Sequence, residues 1–184
     1  MIFQNMLWIK KNQEPSFHQN RRRCIEWQKT EGAFVRNFAK IDINAIKHNF
    51  QLSVANEKAV AVVKADAYGH GAARVARALD GEALAFAVSN IDEAEELARL
   101  DLKSPVVILG DGYAPEFERA LDARVIVSLG NIKNAMILDE LARRKGVRAR
   151  AVLCVDTGMR RDGFDTGDIA GIAAALELKK SLPT

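Results

Sequence analysis

Five short runs rich in Val, Ile, Leu and Ala, at residues 59–63, 84–88, 106–109, 125–127 and 149–155, recur along the chain with helix-period segments between them. Strands that are apolar almost throughout, with no polar alternation, are buried on both faces. The spacing therefore predicts five buried strands in a parallel sheet covered by helices. Three stripes support the helices. Ala72, Val75, Ala76 and Leu79 share one helical face, as do Ile91, Ala94, Leu97 and Ala98, and Ile132, Ala135, Met136 and Asp139 continue less cleanly. Gly81 follows one of these segments, and Arg143, Arg144 and Lys145 precede Gly146 in another. Cations there meet the negative end of the helix dipole, and glycine takes the left-handed cap. The acidic cluster Asp92, Glu93, Glu95 and Glu96 reads as a solvated helix face.

Two architectures satisfy this alternation, an open doubly wound sheet and a (β/α)8 barrel. The first, if it bound a dinucleotide, would carry a Gly-x-Gly-x-x-Gly turn after an early strand, and Tyr68-Gly69-His70-Gly71 does not supply one. The second needs eight strands and roughly 250 residues, so five strands make part of a barrel.

Residues 1–34 are polar and aperiodic and are expected to be a flexible extension, with the folded region over 35–184. Residues 38–43 alternate as a half-buried strand would, after which Asp42 or Asn44 can cap a helix through about Leu52. The net charge of +3 resides wholly in the first 34 residues, where six Lys and Arg face three Glu; the remaining 21 basic and 21 acidic groups balance. The folded part thus lacks the basic footprint of a nucleic-acid binder, and no nucleic-acid partner is expected. Cys24 and Cys154 form no CxxC pair, so neither a metal site nor a disulfide framework is indicated. No apolar stretch approaches the length of a membrane span, no secretory leader is evident, and a cytoplasmic location is expected.

Two segments carry candidate chemistry. Val63-Lys64-Ala65-Asp66-Ala67-Tyr68-Gly69-His70-Gly71 places a lysine directly after the first strand, at the sheet edge where α/β proteins build their sites. A lysine amine, once neutral, attacks an aldehyde to form a Schiff base. The plainer alternative is that Lys64 reaches to the rim or pairs with Asp66. Cys154-Val155-Asp156-Thr157-Gly158-Met159-Arg160-Arg161-Asp162-Gly163-Phe164 follows the fifth strand at the same edge. Asp156 and Thr157 can bond nearby amides, and an arginine there can hold an anionic oxygen in a planar fork. The plainer alternative is an ordinary polar loop.

Both segments resemble signatures of the alanine racemase family, in the same order. The first matches Val-Lys-Ala-Asn/Asp-Ala-Tyr-Gly-His-Gly throughout, and the second matches Asp-Thr-Gly-Met-x-Arg-x-Gly-Phe at Asp156 to Met159, Arg161, Gly163 and Phe164. The resemblance runs from about Phe38 to about Leu178. It implies an eight-stranded barrel followed by a mostly β domain, of which these residues would supply the preceding strand and helix and about five βα units. It also implies pyridoxal 5'-phosphate as cofactor, bound to Lys64 as a Schiff base. Lys64 would exchange the Cα proton on the D-alanine side, Tyr68 would help hold the cofactor phosphate, and Arg161 would lie beside the cofactor's phenolic oxygen and the substrate carboxylate. His70 receives no defined role.

The implied reaction interconverts L- and D-alanine, supplying D-alanine for peptidoglycan, in a homodimer whose partner contributes a tyrosine as the opposite-face base. Neither Tyr68 nor Tyr113 matches the context of that tyrosine. Two departures stand out. Cys154 occupies a position where many members carry a lysine, often carbamylated, that orients the arginine, and Asp162 replaces a residue that is often leucine. Two alternatives stay open: a catalytically incompetent fragment of such an enzyme, and a racemase of broad amino-acid specificity.

Overall fold

A computed structural model describes residues 39–54 and 57–178; the expected extension over 1–34 and its boundary lie outside them. Asp42 opens the folded unit by capping α1 (Ile43–Val54), its carboxylate accepting from the amides of Asn44 at 3.0 Å and Ala45 at 3.1 Å. The strand expected over 38–43 does not form over 39–42, and Phe38 is outside the described residues. The cap explains the difference, because it draws Ile43 into the first helical turn.

The strands β1 (Val60–Val62), β2 (Ala85–Val88), β3 (Val106–Ile108), β4 (Val127–Leu129) and β5 (Ala151–Leu153) lie parallel in sequential order. A bridge between Val107 and Ile126 joins the first three to the last two. A doubly wound sheet reverses its strand order at a switch point, whereas a barrel winds in one direction. The fold is therefore α/β, an arc of about five βα units of a TIM-type barrel. Alternate residues fill its two faces. Ala61, Phe86, Val88, Val106 and Ile108 pack toward the helices α3 (Ala72–Leu79), α4 (Ile91–Ala98), α5 (Phe117–Asp122) and α6 (Ile132–Lys145), while Ala85, Ala87 and Val107 form a smaller cluster with Val60, Val62, Leu109 and Ile126 on the other side. Burial on both faces is why β2 reads as an unbroken apolar run.

Several expectations shift. The fourth strand lies at Val127–Leu129 and not at 125–127, because Ser128 continues it: the buried hydroxyl donates to the Ile108 carbonyl at 2.6 Å, which removes the penalty that a serine would otherwise carry there. The fifth ends at Leu153, and Val155–Asp156 (β6) pairs with Phe164–Asp165 (β7) instead of prolonging it. Nor is β5 buried. Ala151 and Val152 are exposed beside an open groove of about 600 Å³ lined by Leu129, Leu138, Val152 and Leu176, between the sheet and the helices α6 and α7 (Ile169–Leu178).

The stripes of α3 and α4 face the core as expected, apart from the half-buried Ala98. In α6 the buried row is Ala135, Leu138 and Ala142, and Met136 is exposed. Gly146 takes the left-handed cap at φ 66°, with its amide on Arg143 O and that of Val147 on Ala142 O.

Candidate active site

Val63 is nearly inaccessible, and its amide still pairs with Ala87 O in the sheet; the next residue, half-buried Lys64, is the first beyond the strand. From there the backbone takes an unusual path. The α2 turn (Lys64–Gly69) is left-handed, with Ala65, Asp66, Ala67 and Tyr68 all at φ between 51° and 54°. For L-residues each such position costs roughly 1–2 kcal/mol, so the turn persists only where its surroundings over-determine it.

Its restraints are identifiable. The Ala67 amide donates to Val63 O at 2.8 Å and that of Gly71 to Asp66 O at 2.9 Å. His70 Nδ1 bonds Ala67 O at 2.8 Å, and Asp66 Oδ1 accepts from the Ala72 amide at 2.6 Å, at the start of α3. His70 thus ties the turn to itself. Asp66 is committed to Ala72 and forms no ion pair with Lys64, so the alternative of a Lys64–Asp66 pair does not hold. The Tyr68 ring, half-exposed, projects from the end of the turn.

One residue that sequence reasoning assigned to a solvated surface belongs to this site. Glu93 Oε1 accepts from the Ala65 amide at 2.8 Å, while Oε2 accepts from the Ser89 amide at 2.8 Å and its hydroxyl at 2.9 Å. Burial pushes the Glu93 carboxyl up, but the Ser89 and Ala65 amides, the Ser89 hydroxyl and the Lys64 charge outweigh it and hold it below the ordinary glutamate value. A signal was present in the sequence. Asn90 caps α4 by accepting from the Glu93 amide at 3.0 Å, and Asn-x-x-Glu is the spacing of a capping box. The bond to Ala65, 28 residues away, has no such local mark.

The opposite part of the rim is built from the loops after β3, β4 and β5. Asp111 accepts from the Gly130 amide at 2.7 Å and from Asn131 Nδ2, and Asn134 Nδ2 donates to Gly112 O at 2.8 Å. A Cβ on Gly130 would lie 2.7 Å from Gly163 N, and one on Gly163, at φ 123°, would lie 2.7 Å from Asp156 N. Gly130 lets the β5 loop lie directly against the β4 loop, and Gly163 lets β7 lie close against β6 within the β5 loop. Beyond that contact the loop is local and exposed. Amides of Arg160 and Gly158 donate to Asp156 Oδ1 and hold its carboxyl below the usual aspartate value, and Arg161 Nε donates to Asp162 Oδ2 at 3.2 Å. Arg161 is 69% exposed, and among the described residues no hydrogen bond or ion pair joins it to Lys64 or Tyr68. The half-buried Cys154 sits behind the loop, its amide on Leu129 O and its carbonyl accepting from Phe164.

An amine after β1 and a guanidinium after β5, at one edge of a parallel arc, is an arrangement that the family model described as "Alanine racemase, N-terminal domain" covers over residues 41–183. The chain belongs to the alanine racemase family. An alanine racemase of Desulforamulus reducens is 40% identical over 141 residues, 74% of this chain and 38% of its own length. Among solved structures, an alanine racemase of Clostridium difficile aligns with a TM-score of 0.67 at 28% identity, covering 77% of this chain and 37% of that one. A histidine racemase of Leuconostoc mesenteroides aligns with a TM-score of 0.65 at 25% identity, covering 77% and 39%. The chain thus spans about two fifths of the length of the alanine racemases it matches. Among the described residues no helix is long and apolar enough to cross a membrane.

Proposed function

We propose that this chain is the cofactor-anchoring part of a pyridoxal 5'-phosphate-dependent alanine racemase, an isomerase that acts in the cytoplasm as a homodimer. The observation that carries the reading is the placement of Lys64: a half-buried amine, without an ion-pair partner among the described residues, at the C-terminal end of a buried barrel strand. The donor set suits that cofactor. Lys64 offers an amine for its aldehyde, Tyr68 a half-exposed hydroxyl for its phosphate, and Arg161 a guanidinium for an anionic oxygen.

Pyridoxal phosphate, when bound, supplies an electron sink that makes the Cα proton of an attached amino acid acidic. Lys64 would hold the cofactor through Nζ and, once free of it, would carry the Cα proton on the D-alanine face. Tyr68 would donate to the phosphate, and Arg161 would offer its charge to an anionic oxygen of the cofactor and to the substrate carboxylate. Inversion requires a second acid/base group on the opposite face. We assign it to the part of the relatives' length that this chain does not span.

Borohydride reduction of the purified chain with pyridoxal phosphate, followed by peptide mass spectrometry, tests the reading. A pyridoxyl mass confined to the Lys64 peptide is expected, whereas none, or one scattered over surface lysines, would sink it. The fold likeness to a histidine racemase favours a second reading, a racemase of broader or different substrate. Faster exchange of histidine or serine than of alanine by the full-length protein would select it.

A further inference from the structure

We propose that Glu93 is a positioning residue for Lys64, clamping the left-handed turn that begins at Ala65 to the loop after β2. The proposal rests on the reading of Lys64 as the cofactor lysine. Its ground is the division of labour within one carboxylate. Oε2 takes the Ser89 amide and hydroxyl, which is the local work of a helix cap, and Oε1 reaches across the rim to the Ala65 amide. Among the described residues this is the one side-chain hydrogen bond to the α2 turn from a distant element; Ala67, Gly71 and His70 bond within residues 63–71, and Asp66 reaches Ala72, the next residue along.

The consequence follows from where the bond is made. Ala65 is the first left-handed residue of the turn, and its amide lies one peptide from the Lys64 Cα. Fixing that amide fixes the direction in which the lysine side chain leaves the strand. The Glu93 carboxylate also lies close enough to Lys64 to feel its charge. A glutamate doing only the work of a cap has no use for the long-range arm. A glutamate serving only the turn would not need to be held by Ser89, but being held there fixes its carboxylate, which a freely rotating side chain would not do.

The experiment compares Glu93→Ala and Glu93→Gln with the unmodified full chain. It follows backbone amide exchange at Ala65, Ser89 and Phe86, together with pyridoxyl trapping at Lys64. In Glu93→Ala, exchange at Ala65 is expected to quicken by roughly tenfold or more, as suits loss of a hydrogen bond to a charged acceptor. The adduct should then lose its confinement to Lys64. Glu93→Gln keeps one carbonyl acceptor and should restore part of both properties.

Phe86, in the core of β2, is the control for global loosening and should exchange unchanged. Unaltered exchange at Ala65, or acceleration at Phe86 equal to that at Ala65, would overturn the clamp. A chain that takes no adduct at Lys64 even with Glu93 intact would defeat the cofactor reading, and Ala65 exchange would still decide the clamp by itself.

Discussion

The lysine turn and the arginine loop end strands with opposite surroundings. Below Lys64, Ala61 and Val63 are nearly inaccessible, and Phe50 from α1 joins the same core. Below Arg161, two of the three β5 residues are exposed and an open groove runs alongside. The bonding differs in the same sense. The turn is secured by a carboxylate from 28 residues away, whereas the exposed part of the loop is secured by Asp156 to amides two and four residues on and by Arg161 to its immediate neighbour. A strained backbone needs distant support to persist, while an Asx-type loop can form from its own side chain. One part of the candidate site is therefore organised by tertiary structure and the other by local sequence.

The largest expected effect separates the halves by chemistry. Lys64→Arg should abolish the pyridoxyl adduct, since a guanidinium does not form it, while Arg161→Lys should leave the adduct on Lys64 in place. Peptide mass spectrometry after reduction reads both. Equal loss in the two variants would break the comparison, because anchoring would then depend on the exposed loop as much as on the turn.

Next in size is the place where the arginine loop is not local. Gly130→Ala puts a Cβ 2.7 Å from the Gly163 backbone nitrogen and 3.0 Å from its Cα, and should destabilise the chain by about 1–3 kcal/mol. The midpoint of urea unfolding measures it. A shift worth less than about 0.5 kcal/mol would mean that the β5 loop moves away from the β4 loop without penalty.

Much of this was legible beforehand, and what was not has a physical reason in each case. Apolar runs mark strands buried on both faces, so β2 was read to within one residue. β4 was displaced because Ser128 looks polar, and its bond to Ile108 is invisible in sequence. β5 was read as buried although its neighbours leave it open. The helices Phe117–Asp122 and Ile169–Leu178 went unnamed, the first being little more than a turn and a half. Lys64, Tyr68 and Arg161 are proposed from the motifs that carry them, and those motifs do not announce a left-handed turn of four non-glycine residues. Glu93 was hidden among Asp92, Glu95 and Glu96, of which Asp92 and Glu95 do meet Arg119 on the surface.

A smaller effect comes from acid. Glu93 and Asp156 both ionise more readily folded than unfolded, so their contributions are present above the ordinary carboxylate range and fade as pH falls through the lower folded values. For Glu93 the loss should be local and visible as faster exchange at Ala65, beginning below about pH 4. Asp156 lies half-exposed in a surface loop where solvent screens its bonds, so the same acid should change the loop's exchange little beyond its already low protection. Amide exchange measured from neutral pH downward checks the order. Acid-induced loss of protection at Ala65 with the loop amides almost unchanged is compatible with the comparison; a larger acid-induced loss at the loop amides than at Ala65 would reverse it.

The smallest effect concerns Asp162. Its bond to Arg161 joins adjacent residues, with the guanidinium 69% and the carboxylate 34% exposed, and exposed pairs of this kind contribute roughly 0–1 kcal/mol. Asp162→Leu should therefore leave the unfolding midpoint almost unchanged. What it removes is the one carboxylate seen holding the guanidinium among the described residues, on a chain whose Cys154 offers no positive or carbamylated side chain to hold it from behind. The informative readout is thus the anion affinity of Arg161, followed as pyridoxal phosphate binding at several salt concentrations. Tighter binding in the variant would mean that Asp162 competes with the cofactor for the guanidinium, and weaker binding that it presents the guanidinium to it. An unchanged affinity would mean that the arginine loop, unlike the lysine turn, contributes nothing until the remainder of the barrel packs against it.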